Sequence, residues 1–263
     1  MATDDGLNLL DPGENPEKNT LFMLVLAAVI KAVDDYQGIL RGAVASAGND
    51  HRLGANEAPP AIISVYLGDQ LGALVDSIAS GKDYVPFRAK EGSIGVPESP
   101  IFPKDASDRN RTSPFAFTGN KFEFRMLGSQ ANVADANIVL NTIIAEAFAE
   151  FADELEGVDD LEAAARALIT KTIKAHSRII FNLDGYGPAW EPEAERRGLL
   201  NNKDTADATE VFFEKKNIDV FVNQGVYTEE EAVARAMVRL ENYVKIINIE
   251  AVTMLKMAKQ DIM

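Results

Sequence analysis

The sequence predicts an α+β protein that is mainly helical and carries a partial antiparallel sheet. Beyond residue 131, apolar residues recur at the spacing of a helix, beginning with Val133 and Ile138. Gly119-Asn120 lies between two phenylalanine-rich segments, and such a two-residue loop closes tight antiparallel hairpins. The apolar run at residues 21–30 is too short to cross a bilayer, so it predicts a buried helix.

Before the hairpin, the pattern alternates between helix and loop. Asn15-Pro16 predicts a helix start, with proline at the first helical position, and this helix should continue to about Val33. A second apolar segment follows at residues 36–46. Residues 47–60 have the glycine, asparagine and proline content of a loop. The remaining predictions are a short strand at residues 61–67, a helix at 69–80 and a long irregular connection at 81–107.

The second half predicts a helical region at residues 131–263, so that residues 1–130 form a separate domain. Gly157 is expected to end the first helix, and Asp159 to cap a second helix that runs to about Ile180. The segment NLDGYGPAW, residues 182–190, predicts a turn-rich break.

A long last helix is predicted to begin at Thr228, because Thr228 and Glu231 have the spacing of a capping box, and to reach nearly to Met263. His176 lies on a helical apolar face, which favours a packed core or interface residue over a metal ligand.

Composition limits the function. The chain has 41 acidic against 26 basic residues and a net charge of -15, so nucleic acid and anionic membrane surfaces are disfavoured as partners. It has no cysteine and only two histidines, so a metal site must depend on carboxylates. The absence of cysteine and the acidic N-terminus, unlike a secretory signal, favour a cytoplasmic protein.

The hairpin segment DRNRTSPFAFTGNKFEFR, residues 108–125, predicts its own register. Counting outward from the turn pairs Ala116 with Glu123. Because side chains alternate along a strand, four phenylalanines share one face and Glu123 and Arg125 share the other. The four phenylalanines are Phe115, Phe117, Phe122 and Phe124.

The polar face of the hairpin allows two interpretations. The first is an ordinary solvated face of an antiparallel sheet. Alternatively, the Glu123 carboxylate is a hard oxygen ligand suited to magnesium or manganese, and the Arg125 guanidinium grips a carboxylate or phosphate with two hydrogen bonds. Arg111 would add a further cation beside the same volume.

Two longer motifs resemble a known family. The segment NDHRLGANEAPP, residues 49–60, looks like the glutamate-flap segment of glutamine synthetases, in which Asn-x-x-Arg-Leu leads to Glu-Ala-Pro. The hairpin resembles the Asn-Arg-Ser stretch and the Glu-x-Arg metal and substrate strand of the same family. Together with GSQANVADANIVLNT at residues 128–142, these segments are similar to those of type III glutamine synthetases.

The resemblance implies an ATP-dependent ligase that joins glutamate and ammonia through γ-glutamyl phosphate, with Mg²⁺ or Mn²⁺ as cofactor. By the same resemblance, Arg52 stabilises the transferring phosphoryl group and Glu57 lies on the flap that closes over the intermediate. Arg111 contacts nucleotide phosphates, Glu123 ligates the metal, and Arg125 holds the α-carboxylate of glutamate. A ring-shaped homo-oligomer is also implied.

The chain departs from the family pattern in two places. The flap is one residue shorter than in the common bacterial type, and Ala116 or Phe117 stands where a second phosphate-binding arginine is usual. Arg109 is the candidate for that missing contact.

The resemblance covers only the latter part of a catalytic domain and a helical C-terminal region. The chain by itself is therefore expected to be inactive and to associate or aggregate through exposed apolar faces and sheet edges. Two alternatives stay open: another carboxylate-amine ligase of the superfamily, such as a γ-glutamyl-polyamine ligase, and a non-catalytic helical interaction module.

Overall fold

The computed structural model describes residues 1–55, 58–82, 84 and 112–262, and it confirms a mainly helical α+β fold. The first half contains α1 (Thr20–Asp35), α2 (Gln37–Gly42), α3 (Ala47–Arg52), β1 (Val65–Tyr66), α4 (Gly68–Ser80), β2 (Phe115–Phe117) and β3 (Phe122–Phe124). The second half contains α5 (Ala134–Leu155), α6 (Leu161–His176), α7 (Trp190–Arg196), α8 (Thr205–Glu210), α9 (Lys215–Asn223) and α10 (Glu229–Asp261).

The sheet has the strand order β1-β2-β3 and is mixed, which corrects the prediction of a purely antiparallel sheet. β1 runs parallel to β2, with Val65 opposite Phe115, while β2 and β3 are antiparallel. A helix in the connection explains the parallel pair, since α4 lies between β1 and β2 in the chain and lets it re-enter the sheet in the same direction.

The hairpin has the predicted register. Phe117 pairs with Phe122, Ala116 with Glu123 and Phe115 with Phe124. Gly119 has φ +94°, a left-handed backbone conformation that glycine adopts without strain.

The apolar face of the hairpin is covered, as predicted. The rings of Phe115 and Phe122 stack with centroids 4.7 Å apart, and Phe117 lies 6.0 Å from Phe22 of α1. Aromatic pairs at these separations add to the burial of apolar area.

Helix α1 is the centre of the core and packs against α5 and α6. Its start differs from the prediction, because Pro16 lies in a separate 3-10 turn and the side chain of Asn19 caps α1 by accepting from the Phe22 N–H. The core joins Ile30 of α1 to Ile143 of α5 and Ile173 of α6 in one hydrophobic cluster. The domain boundary between residues 130 and 131 stays a prediction.

Several local predictions are corrected. The segment predicted as loop at residues 47–60 contains the short helix α3, whose first turn is capped by Ser46. Helix α6 is capped by Asp160 rather than Asp159 and ends at His176, where a 3-10 turn replaces the expected continuation. His176 is a packed residue, as predicted: its Nδ1 lies 2.8 Å from the buried Asp34 carboxylate.

The last helix, α10, begins at the predicted capping box, since Thr228 and Glu231 exchange both side-chain-to-backbone hydrogen bonds. It is 33 residues long, and its buried residues are Ala232 and Ala236, both near the start. Among the described residues, no helix combines the length and the apolar character needed to span a bilayer.

Candidate functional site

Helix α3 places Arg52 at the end of strand β3. The Arg52 Nη1 donates to the backbone carbonyl of Met126, 3.2 Å away, and to Oδ1 of Asn49, 3.0 Å away. Met126 directly follows Arg125 in the chain and is buried. The guanidinium of the flap segment and the Glu-x-Arg strand, 74 positions apart in sequence, therefore meet.

Asn49 fixes this junction from inside. Its side chain is 2% exposed, and Nδ2 donates to the carbonyls of Val44 at 2.8 Å and Met126 at 2.9 Å. The same amide accepts from Arg52 through Oδ1. One buried amide thus joins the end of α2, helix α3 and the end of β3, and it holds the Arg52 guanidinium in place.

Glu123 and Arg125 lie on the polar face of β3 and pair with each other. The Arg125 Nη2 and Nε donate to Oε2 of Glu123 at 2.9 and 3.2 Å. Thr118 donates to the other carboxylate oxygen at 3.3 Å, and Nζ of Lys121 lies 3.6 Å from it. Ala116 lies opposite Glu123 and is 1% exposed, so the polar face is covered at this position and not open as its small side chain would suggest.

These partners keep Glu123 ionised. The hydrogen bond from Arg125 is the largest cause that lowers the pKa of the Glu123 carboxyl below its ordinary value, with its charge and the contacts of Thr118 and Lys121 acting in the same direction. The result is an anionic oxygen donor beside a guanidinium, which suits a divalent cation and an anionic ligand respectively.

The other predicted site residues, Glu57, Arg109 and Arg111, lie outside the described residues. The described ends of the segment around Glu57 are close together, because the Gly54 N–H donates to the Pro59 carbonyl at 3.0 Å.

The described side chains do not form a complete metal site by themselves. In the ranges that the structure describes, no three His, Asp or Glu side chains lie together in a way that could hold a metal ion. Glu123 fits as one carboxylate ligand, and waters, phosphate oxygens or residues outside these ranges would complete the coordination.

Comparison with known proteins finds similar sequences among glutamine synthetases. The chain is 44% identical to the type-3 glutamine synthetase of Dictyostelium discoideum over 254 residues, which is 95% of this chain and 35% of that protein. It is 42% identical to the glutamine synthetase of Butyrivibrio fibrisolvens over 267 residues, which is 100% of this chain and 37% of that protein. The chain is therefore similar to glutamine synthetases over nearly its whole length.

Two further matches agree. Residues 164–263 match the family model described as glutamine synthetase C-terminal domain. The glutamine synthetase of Bacteroides fragilis (strain YCH46) is 41% identical over 259 residues, or 95% of this chain and 35% of that protein. The resemblance predicted from the two motifs is confirmed. The chain spans about a third of the length of these glutamine synthetases, between 35% and 37%.

Sequence patterns selected the charged side chains of the candidate site. They missed the residues that fix the positions of the site-bearing segments. Asn49 lies in the quoted motif, and its position three residues before Arg52 was the available signal. Asp50 was also missed: it accepts from the buried Arg41 at 3.2 Å and from the Thr205 N–H at 2.7 Å. No local pattern connects these three residues, because Thr205 lies 155 positions from Asp50.

Proposed function

We propose that this chain is the section of an ATP-dependent glutamate-ammonia ligase that supplies a phosphoryl-stabilising arginine, a metal-binding carboxylate and a substrate-binding arginine. The observation that carries the proposal is the contact of Arg52 with the Met126 carbonyl, because it brings two separate motif segments of the family to one place. The similarity to glutamine synthetases over 95% to 100% of this chain supports the choice of substrates: glutamate, ammonia and ATP.

The proposed reaction has two steps. A γ-carboxylate oxygen of glutamate attacks the γ-phosphorus of ATP, which forms γ-glutamyl phosphate and releases ADP. Ammonia then attacks the acyl carbon, loses a proton, and displaces inorganic phosphate to give glutamine. Both steps develop negative charge on phosphate oxygens, which positioned cations stabilise.

Each residue has a defined part in this proposal. Arg52 stabilises the charge on the transferring phosphoryl group, and its fixed position avoids reorganisation during the step. Arg125 binds the α-carboxylate of glutamate, and Glu123 supplies one oxygen ligand. Mg²⁺ or Mn²⁺, when bound, neutralises phosphate charge.

Further roles rest on family likeness alone. Glu57 is proposed to act at the flap, and Arg111 and Arg109 at the nucleotide phosphates. A ring-shaped homo-oligomer and a cytoplasmic location belong to the same proposal. The exposed apolar residues of α10 support an oligomer, since large apolar surfaces are usually covered by a partner.

The test is glutamine formation by the full-length polypeptide that carries this chain. Glu123→Ala and Arg125→Ala are expected to lower turnover by about 100-fold or more, because each removes a charge that acts on metal or substrate. Asn120→Ala at the exposed tip of the same hairpin is the matched control and should retain activity. A full-length polypeptide that forms no glutamine from glutamate, ammonia and ATP would contradict the proposal, and one that prefers polyamines would establish the superfamily alternative.

The 263-residue chain by itself is expected to form no glutamine. It spans only 35% to 37% of its relatives, and its described residues contain no group of three His, Asp or Glu side chains that could hold a metal ion. Metal-dependent turnover by the purified chain in a sensitive assay would contradict this expectation.

A further inference from the structure

A closed turn projects from the helical half of the chain toward the candidate site. Its two ends are joined by the rings of Phe181 and Trp190, which stack with centroids 3.8 Å apart and 19° between their planes. Arg197 lies over both rings and donates from Nη1 to the Ile180 carbonyl at 2.7 Å. We call residues 181–190 the braced turn. Its fixed ends make it a compact loop of the kind that often carries function.

The base of the braced turn is attached to strand β1. The Phe181 N–H donates to the Val65 carbonyl at 2.9 Å, and Oδ1 of Asn182 accepts from the Leu67 N–H at 2.9 Å. Asn182 also packs closely on α4, since a Cβ added at Gly72 would lie 2.5 Å from its Nδ2. The turn therefore has a set position relative to the sheet.

The buried Gly185 makes the contact with the site-bearing segments. Its N–H donates to Oγ1 of Thr112 at 3.0 Å. A Cβ added at Gly185 would lie 2.6 Å from the Thr112 carbonyl oxygen, a backbone atom, and 3.6 Å from Cβ of Pro59. A separation under 3.0 Å requires a shift, so only glycine fits at this point.

The two segments that meet at Gly185 carry the two halves of the candidate site. Thr112 leads into β2, which pairs with the strand of Glu123 and Arg125. Pro59 closes the segment that follows Arg52, through the hydrogen bond from Gly54 to its carbonyl. A displacement at Gly185 would therefore change the position of one half of the site relative to the other.

We propose that Gly185 is a positioning residue, through which the helical half of the chain sets the distance between the flap segment and the Glu-x-Arg hairpin. This inference rests on the proposed function, because the site that it positions is the proposed ligase site. It assigns a role in catalysis to a segment that contributes no charged group to the reaction.

The test compares Gly185→Ala with Gly187→Ala. Gly187 lies in the same turn, but a Cβ there would lie 3.4 Å from the nearest atom, the Asp184 carbonyl oxygen. Thr112→Val removes the hydroxyl that accepts from Gly185 and nearly keeps the shape of the side chain. Thr112→Ser keeps the hydroxyl. Two measurements are made: steady-state kinetics of the full-length polypeptide, and amide hydrogen exchange of the peptides spanning residues 58–66 and 112–126.

Gly185→Ala is expected to lower kcat/KM for glutamate and ATP about 10-fold or more, since a misplacement near 1 Å has effects of that order. Exchange in both peptides should rise. Gly187→Ala and Thr112→Ser should stay close to the unmodified protein, and Thr112→Val should fall between.

Three results would each overturn one claim: the contact at Gly185, its positioning role, or the proposed function. Unchanged exchange in Gly185→Ala would refute the bracing contact, whatever the activity. Faster exchange with unchanged kcat/KM would refute the positioning role. An unmodified full-length polypeptide that makes no glutamine would instead refute the proposed function, while the exchange comparison would still decide the contact.

Discussion

The hairpin β2–β3 and the last helix α10 both present apolar side chains in a regular pattern, yet their environments differ. On the hairpin, Phe115 is 3% exposed, and the rings of Phe122 and Phe124 pack against it. On α10, Ile249 and Leu255 are 63% and 58% exposed. The difference teaches that a sequence pattern predicts an element and its apolar face. It does not predict what covers that face, because the covering residues lie far along the same chain or in another molecule.

The largest expected effect tests this difference directly. Phe115→Ala removes a buried ring and should lower the free energy of unfolding by about 3 to 5 kcal/mol. Ile249→Ala, the control on α10, should change it by no more than about 0.5 kcal/mol, as is usual for exposed positions. Urea unfolding of the 263-residue chain, followed by circular dichroism, measures both variants. Equal losses would show that the two faces are covered alike in solution.

The next prediction concerns self-association through α10. Exposed apolar side chains at this density favour association, and each isoleucine or leucine that becomes buried contributes about 1.5 to 3 kcal/mol. The double variant Ile249→Glu and Leu255→Glu should shift the chain toward monomer in light scattering. Asn248→Glu on the same helix adds a like charge at a polar position and should leave the mass unchanged. A monomeric unmodified chain would contradict the prediction.

A smaller loss is expected at the junction that holds Arg52. Asn49→Ala leaves the carbonyls of Val44 and Met126 without their amide donor, which should cost about 1 to 3 kcal/mol of unfolding free energy. Asn242→Ala on the exposed part of α10 is the matched control and should change little. In the full-length polypeptide, Asn49→Ala should also lower kcat more than its stability loss explains at a temperature where it stays folded. Parallel loss of stability and activity alone would argue against a role in positioning Arg52.

Local chemistry explains which parts of the fold were predictable. The hairpin register follows from Gly119, and the start of α10 from Thr228 and Glu231, because a few neighbouring residues determine each. The parallel pairing of β1 was missed because its partner β2 lies about 50 residues further along the chain. The short helix α3 was missed because the glycine and asparagine content of its segment indicated a loop, although Ser46 caps it locally. The same holds for the candidate site. Its charged residues can be selected by their chemistry, but the residues that position them cannot.

The residues that position the charged side chains show what the sequence alone does not predict. Asp50 and Gly185 carry no pattern that distinguishes them in one sequence, whereas Asn49 has one signal, its position three residues before Arg52 in the quoted motif. Asp50 becomes notable only when the Thr205 N–H is found 2.7 Å from its carboxylate, and Gly185 only when Thr112 is found against it. Long-range contacts of this kind are outside what periodicity and turn chemistry can predict.

The smallest expected effect compares a carboxylate near the braced turn with one on α10. Hydrogen bonds from Arg196 and then Arg197 lower the pKa of Glu193 from 4.5 to about 2, so its folded state favours the ionised form. The stability that this carboxylate contributes is present above pH 4.5 and is lost as the pH falls through about 2. The loss in midpoint temperature caused by Glu193→Gln should therefore be fullest near pH 5 and should shrink toward about pH 3.

Glu241→Gln on α10 is the control for this pH dependence. The hydrogen bond from Lys245 also lowers the pKa of Glu241, but this pair is exposed and holds no other element. Its effect on the midpoint temperature should be smaller at every pH, because an isolated surface pair contributes little. Glu193 also holds Arg197, which fixes the braced turn. Glu193→Gln should therefore raise amide exchange at residues 181–190 above that of the unmodified protein near pH 5, and this difference should shrink as the pH falls, whereas Glu241→Gln should cause no such difference. Equal exchange in the two variants would show that Arg197 is held in place by its stacking on Phe181 and Trp190 alone.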